Sequence, residues 1–263
     1  MRRQPFESLL ITNLGRACQR VVRNIEEYSP TQVIYFRQDD TGWNEKNDDY
    51  KKALDNFRLL ATVQRYEKQE RIRAVRLTSI TDYAALFDGL ADLIEENEQK
   101  FPIIYLDCTG LPKLASAAAL QLAAMYNNVW PIYNRNSVTA KYDKERDTEY
   151  SGDRGYGPEL LPFVRIDVEW KHNPQSNRYR VLTAGFSLAE KHRWDVKFNK
   201  ADLLKAIQES GKEISGIALG KALGQLLDSG LILADLMNPE SFSLTLPGYV
   251  LARRILGKHT PGI

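Results

Sequence analysis

The sequence predicts an α/β fold: a mainly parallel sheet with helices on both faces, followed by a β-hairpin connector and a small α+β domain. Three observations lead there. Over the first half of the chain, short apolar runs of strand length alternate with segments of helical period, the pattern of parallel strands joined by crossover helices. Near residue 136 that alternation stops and a polar, glycine-containing stretch begins. The 263 residues exceed the roughly 100–200 of a typical domain, which leaves room for a second unit. The expected divisions are a ligand-binding domain over 1–136, a connector over 137–198 and a C-terminal domain over 199–263.

Taken in order, residues 8–14 (SLLITNL) form an apolar run of strand length, and the GRACQRVVRNIEEY that follows places Val21, Val22 and Ile25 on one helical side. Ser29-Pro30 ends that helix, and 31–37 (TQVIYFR) is rich in β-branched and aromatic residues, as a second strand would be. A polar helix is expected over 45–67, then an alternating strand over 71–78 (RIRAVRLT). Tyr83, Leu86, Phe87, Leu90, Leu93 and Ile94 give 81–96 a helical stripe. Residues 101–109 (FPIIYLDCT) read as a strand and 113–126 as a helix of small residues and Leu. The resulting sheet is Rossmann-like, and such sheets bind ligands where strands end and helices begin.

Beyond 136, residues 137–159 read as a loop. Residues 163–171 (FVRIDVEWK) and 178–185 (RYRVLTAG) read as two strands joined by HNPQSN, a hairpin. Asn199 is placed to cap a helix that runs to Gly211, 214–228 is a second helix, 231–237 and 241–246 are short strands around Asn238-Pro239, and 248–256 is a final helix.

Composition excludes several classes. The 36 basic and 34 acidic side chains nearly balance, so charge alone neither demands nor excludes nucleic acid. The two cysteines, Cys18 and Cys108, lie in apolar, regularly patterned segments, which argues against a disulfide framework or a zinc site. His172, His192 and His259 show no ligand spacing, and neither a metal nor a cofactor is expected. No apolar run approaches the roughly 18 residues of a membrane span, and no signal peptide is visible, so a cytoplasmic, non-membrane protein is the expectation.

Two turns carry the candidate chemistry. Thr12-Asn13-Leu14-Gly15-Arg16 brings a hydroxyl, an amide and backbone N–H groups to a helix start, which suits a phosphate. It lacks G-x-G-x-x-G, and Arg37 rather than an acidic residue closes the second strand, which rules against a standard nicotinamide or flavin site. The second turn lies in LDCTGLPKLASAAA, where Thr109, Gly110 and Lys113 bring a hydroxyl, a close-approach backbone and an ammonium above the sheet.

This pair of turns resembles the two motifs of CRISPR-associated Rossmann-fold (CARF) sensors of cyclic oligoadenylate. LLITNLG before a helix matches the first motif in character. The second is a Thr-Gly-Gly-Thr-Lys-like turn before an alanine-rich helix, of which Thr109, Gly110 and Lys113 are kept and the middle Gly-Thr is replaced by Leu111-Pro112. The resemblance covers about half the chain. It implies type III CRISPR antiviral signalling, a homodimer with one symmetric pocket, a cyclic tetra- or hexa-adenylate ligand, and a lining of Thr12, Asn13, Leu14, Gly15, Arg16, Thr109, Gly110 and Lys113.

The C-terminal pattern of helix, helix, two strands and helix resembles a winged helix-turn-helix. Its second helix offers DNA only Lys221 and Gln225, while Gly216, Gly220 and Gly224 recur at every fourth position and suit close helix packing. Residues 197–263 hold eight basic and six acidic side chains, a net of 8 − 6 = +2. Other motifs are weaker. Asp153 with Glu169-Trp170-Lys171 echoes a D…E-x-K nuclease metal site, Arg254 and His259 have the spacing of a HEPN-type ribonuclease, and Gly220-Lys221 lacks the spacing of a P-loop.

Two functions follow. In the favoured one the protein is a metal-independent ring nuclease: the ribose 2′-hydroxyl attacks its neighbouring phosphate while Lys113 and Thr12 stabilise the developing oxyanion. In the alternative it is a ligand-controlled regulator whose winged helix binds DNA without cleaving the messenger.

Overall fold

The computed structural model describes residues 7–14, 19–38, 48–77, 82–109, 111, 113–134, 141–143, 148–150, 158–161, 168–192 and 196–257. The chain divides into two compact units, Met1–Arg165 and Ile166–Ile263.

The first unit is Rossmann-like. Its strands are β1 (Ser8–Asn13), β2 (Gln32–Gln38), β3 (Ile72–Leu77), β4 (Ile103–Asp107), β5 (Val129–Asn134) and β8 (Pro158–Leu160), in the spatial order β3-β2-β1-β4-β5-β8. The first five are parallel, and β8 pairs antiparallel with β5 through Ile132↔Leu160. Central β1 is buried along its whole length, as its near-continuous apolar run requires of a strand covered on both faces. Edge strand β3 instead exposes Arg73 and Arg76, charges that blunt its free edge.

Helices α1 (Gln19–Tyr28), α2 (Asp48–Leu59) and α3 (Ala61–Lys68) cover one face. There Leu10, Val33, Tyr35 and Ile132 of the sheet pack with Val21, Ile25, Phe57, Val63 and Tyr66. Helices α4 (Tyr83–Asn97) and α5 (Lys113–Met125) pack together, linked by a 2.5 Å hydrogen bond from Tyr83 Oη to Gln121 Oε1. The single helix expected over 45–67 is two, because Leu60 leaves the helical region (φ −71°, ψ 129°) and packs on the same core as Phe57 and Val63. Burial of that side chain overrides the local helical preference.

The sequence reading assigns no element after the helix over 113–126, where β5 runs through Pro131. Its carbonyl accepts from Leu161 N at 2.9 Å. Within 137–159, read as a loop, β6 (Lys141–Asp143) pairs antiparallel with β7 (Thr148–Tyr150), and β8 extends the sheet.

The second unit corrects the expected hairpin. Residues 163–167 lie outside the described residues, Glu169–His172 is a 3-10 turn, and the segment read as the second strand lies inside α6 (Asn177–His192). Val181, Leu182, Ala184, Phe186 and Ala189 are all buried, a helical stripe that becomes visible only when the window continues past Gly185. That glycine is no turn: a Cβ there would stand 3.0 Å from Phe198 Cζ, so the helix uses it to let the Phe198 ring approach.

The remainder follows the sequence. Strand β9 (Phe198–Asn199) leads to α7 (Lys200–Glu209), then α8 (Gly216–Asp228), β10 (Ile232–Ala234), β11 (Ser241–Leu244) and α9 (Leu246–Ile255). Asn199 Oδ1 accepts from Asp202 N while Asp202 Oδ2 accepts from Asn199 N, a complete capping box. The three strands form an antiparallel sheet in the order β10-β11-β9. At the start of α9, Gly248 lies so close to β10 that a Cβ would stand 1.9 Å from Leu231 O.

Candidate functional site

The strand order places a topological switch between β1 and β4, whose crossovers leave for opposite faces; open α/β sheets bind ligands in the crevice outside such strand ends. Both predicted turns begin there, the first after Asn13 and the second after Asp107. The register Leu10↔Tyr105 and Ile11↔Leu106 brings the ends of β1 and β4 side by side.

Behind the crevice lies a buried polar network. Asp107, 1% exposed, accepts at Oδ2 from Thr12 Oγ1 and from Asn24 Nδ2, and at Oδ1 from Thr109 N, each at 2.8 Å. Thr109 Oγ1 accepts from Asn134 N at 2.8 Å, and Asn134 Nδ2 donates to Asn24 Oδ1 at 2.8 Å. Burial raises the Asp107 carboxyl above its ordinary value, against the lowering pull of hydrogen bonds from Thr109 and Thr12 and of the Arg20 charge. Burial and the adjacent carboxylate push the Cys108 thiol up to about 12, which keeps it an inert protonated packing residue.

The structure separates the predicted site residues into two sets. Thr12, Asn13, Leu14 and Thr109 are buried, and the Thr12 and Thr109 hydroxyls are engaged with Asp107 and Asn134. Lys113 is exposed at the first residue of α5. Ser116 Oγ, one turn later, donates to Leu111 O at 3.3 Å and Cys108 O at 3.4 Å and so ties the helix start to the turn. Gly15, Arg16 and Gly110 lie outside the described residues. The network therefore holds the end of β1 and the start of the second turn at Thr109, and Lys113 stands exposed at the N-terminus of α5.

Sequence reasoning missed Asp107, Asn24 and Asn134. Two signals were present: a carboxylate closing the buried run IIYLD, and an amide between Val21 and Ile25 on the apolar stripe of α1. Each requires a buried partner.

In the C-terminal unit Lys221 and Gln225 lie exposed on α8 beside Ile217, which is 89% exposed. Leu236 and Met237, 97% and 92% exposed, occupy the β10–β11 connection. The acids of that connection are paired, Asp235 with Lys197 and Glu240 with Lys200. The nuclease-like set loses its strand, since Glu169 and Lys171 sit in a 3-10 turn and Asp153 lies outside the described residues. His259 is likewise outside them, and Gly220-Lys221 is helical. Among the described residues no three His, Cys, Asp or Glu side chains converge as metal ligands, and no helix is long and apolar enough to cross a membrane.

No family model and no curated protein matches the chain. Among solved structures it is similar to Enterococcus italicus Csm6 bound to cyclic hexa-2′-fluoro-hexa-dAMP, at 14% identity and a TM-score of 0.48, over 85% of this chain and 55% of that one. Can2 from Sulfobacillus thermosulfidooxidans, in complex with cyclic tetra-adenylate, is 14% identical with a TM-score of 0.34, over 94% and 62% of the two chains. Protein VC1899 from Vibrio cholerae is 8% identical with a TM-score of 0.37, over 93% and 64%. The chain thus spans between 55% and 64% of the length of these three. The functional reading rests on the residues of the site.

Proposed function

We propose that the first unit is a CARF domain that binds a cyclic tetra- or hexa-adenylate in type III CRISPR signalling, and that the protein is a metal-independent ring nuclease. One observation carries the reading: a single buried network anchors both motif-like turns at the switch point, with Lys113 exposed beside them. A homodimer would present the two turns twice around one ring. In cleavage, a ribose 2′-hydroxyl gives its proton to solvent and its oxygen bonds to the adjacent phosphorus as the bond from phosphorus to the 5′-oxygen breaks; the 5′-oxygen takes a proton from solvent, leaving a 2′,3′-cyclic phosphate and a 5′-hydroxyl. Lys113 would stabilise the charge that develops on the phosphoryl oxygens, and the turn backbone would hold the attacking and leaving oxygens in line. The Thr12 hydroxyl would act from behind, through Asp107, by fixing the end of β1.

The test mixes purified protein with each ring in EDTA and follows binding and linear products. Linear products that fall by about 100-fold or more in Lys113→Ala support the nuclease. Binding without cleavage moves the chain to the regulator reading, and binding of neither ring removes the CARF assignment.

The regulator reading draws on a separate observation. The order α6, β9, α7, α8, β10, β11 with sheet order β10-β11-β9 supports a winged-helix reading, in which α8 would be the recognition helix and β10–β11 the wing. Lys221 and Gln225 would then contact DNA. Against it, the exposed faces of α8 and the wing display Ile217, Leu236 and Met237 and paired charges rather than a basic stripe. DNA affinity that falls steeply with salt, with a slope reduced by about one in Lys221→Ala, would favour regulation.

A further inference from the structure

The network behind the crevice closes on itself. Thr109 N donates to Asp107 Oδ1, Asn24 Nδ2 donates to Asp107 Oδ2, Asn134 Nδ2 donates to Asn24 Oδ1, and Asn134 N donates to Thr109 Oγ1, every step 2.8 Å. The ring spans α1 and the ends of β4 and β5, and Thr12 adds β1 to it through Asp107. Its members are all buried.

The ring also has a direction. Asp107 accepts in all three of its bonds; Asn24 turns its NH2 toward that carboxyl and its carbonyl toward Asn134, which presents its own NH2. Asn134 Oδ1 is the acceptor left over: it is buried and has no partner among the described residues. Three donors converging on one buried carboxyl mark Asp107 as the group around which the strand ends are ordered.

We propose that Asp107 is a positioning residue for the anion-binding turns, holding the Thr109-to-Lys113 turn and the end of β1 in register through the ring it forms with Asn24, Thr109 and Asn134. Asp107 does not touch ligand. It acts through Thr109 N, which it orients, and through Thr12. The ligand-dependent part of this inference rests on the function proposed above, whereas the anchoring itself does not.

The experiment uses the full chain, with Asp107→Asn as the near-isosteric variant and Asn24→Ala as a second that breaks the ring from α1. Cyclic tetra-adenylate and cyclic hexa-adenylate are the probes, and site-resolved backbone amide exchange is the second readout. Asp107→Asn is expected to weaken ring binding at least tenfold and to speed exchange at Thr109 and Asn134 at least tenfold, with β1 to β3 still protected. Asn24→Ala is expected to change both in the same direction. Because Asp107 acts through the Lys113 turn, Asp107→Asn combined with Lys113→Ala should bind no more weakly than the weaker single variant, whereas a merely structural role would make the losses multiply.

Unchanged exchange at Thr109 and Asn134 overturns the proposal, as does wild-type ring affinity in Asp107→Asn or multiplying losses in the double variant. If the unaltered protein binds neither ring, the functional reading falls by itself. Faster exchange at the two amides would then still support the anchoring, and unchanged exchange would overturn it too.

Discussion

The two units bury different things. At the strand ends of the first, Thr12, Asn24, Asp107, Thr109 and Asn134 meet in one buried network. In the second, the buried polar side chains among the described residues are Thr183 and Ser241, and the Thr183 hydroxyl merely donates to Tyr179 O one turn back in its own helix. Its core is otherwise apolar, built from residues such as Phe186, Leu203, Leu226 and Leu251. The difference teaches where constraint other than packing acts. A polar interior has to satisfy donors and acceptors individually, and natural cores accept that demand where a precise arrangement is needed. The second unit is held by shape, and its unusual feature lies outside, in Ile217, Leu236 and Met237.

The comparison can be broken most forcefully at Gly248. A unit held by close packing should not admit a methyl group 1.9 Å from Leu231 O, so Gly248→Ala should cost at least about 3 kcal/mol, read by urea denaturation. A wild-type midpoint would show that the α9 contact is loose. A matched pair of substitutions sharpens the contrast. Thr12→Val removes a donor from a buried carboxylate and should cost about 2 kcal/mol, whereas Thr183→Val removes a local back-bond and should stay within about 0.5 kcal/mol. Equal losses would mean that the network is no more demanding than an ordinary helix hydroxyl.

A smaller effect comes from pH. The carboxyl of Asp107 is raised in the folded chain, so on raising the pH the unfolded chain releases this proton first. Its contribution to stability should therefore fall as pH rises from about 4, the unfolded value, toward the raised folded value, and be level above it. Urea midpoints of the parent minus those of Asp107→Asn, taken across that window, should show the decline; a flat difference would mean that the three donors cancel the effect of burial. A change of the opposite sign is expected at Gly220, where nothing among the described residues lies within 4 Å of an added Cβ. Gly220→Ala should stabilise the chain by about 1 kcal/mol through helix propensity. A loss of self-association by sedimentation in that variant would instead assign the glycine stripe to contact between copies.

The sequence made most of the sheet legible because periodicity is local. Strands β1 to β4, helices α1, α4 and α5, and the capped helices α7 and α8 follow from spacing, caps and turns that each span about a dozen residues. The failures share a cause. The strand read over 178–185 stops at Gly185 inside α6, and Leu60 splits a helix that looks continuous; in both cases packing in the folded chain outweighs the local signal. The candidate site was half visible. The turns and Lys113 could be read from residue type, while the network that seats them could not.

Residue order alone settles the class of the fold, the ends of strands β1 and β4, and the cationic side chain at the second turn, since these depend on near neighbours along the chain. The pairing of Asp107 with Asn24, 83 residues away, and of Asn24 with Asn134, 110 residues away, is settled by the sheet. Strand order and register bring those groups within hydrogen-bond reach in an interior where an unpaired polar atom is costly. No local pattern in the chain specifies which partner that will be.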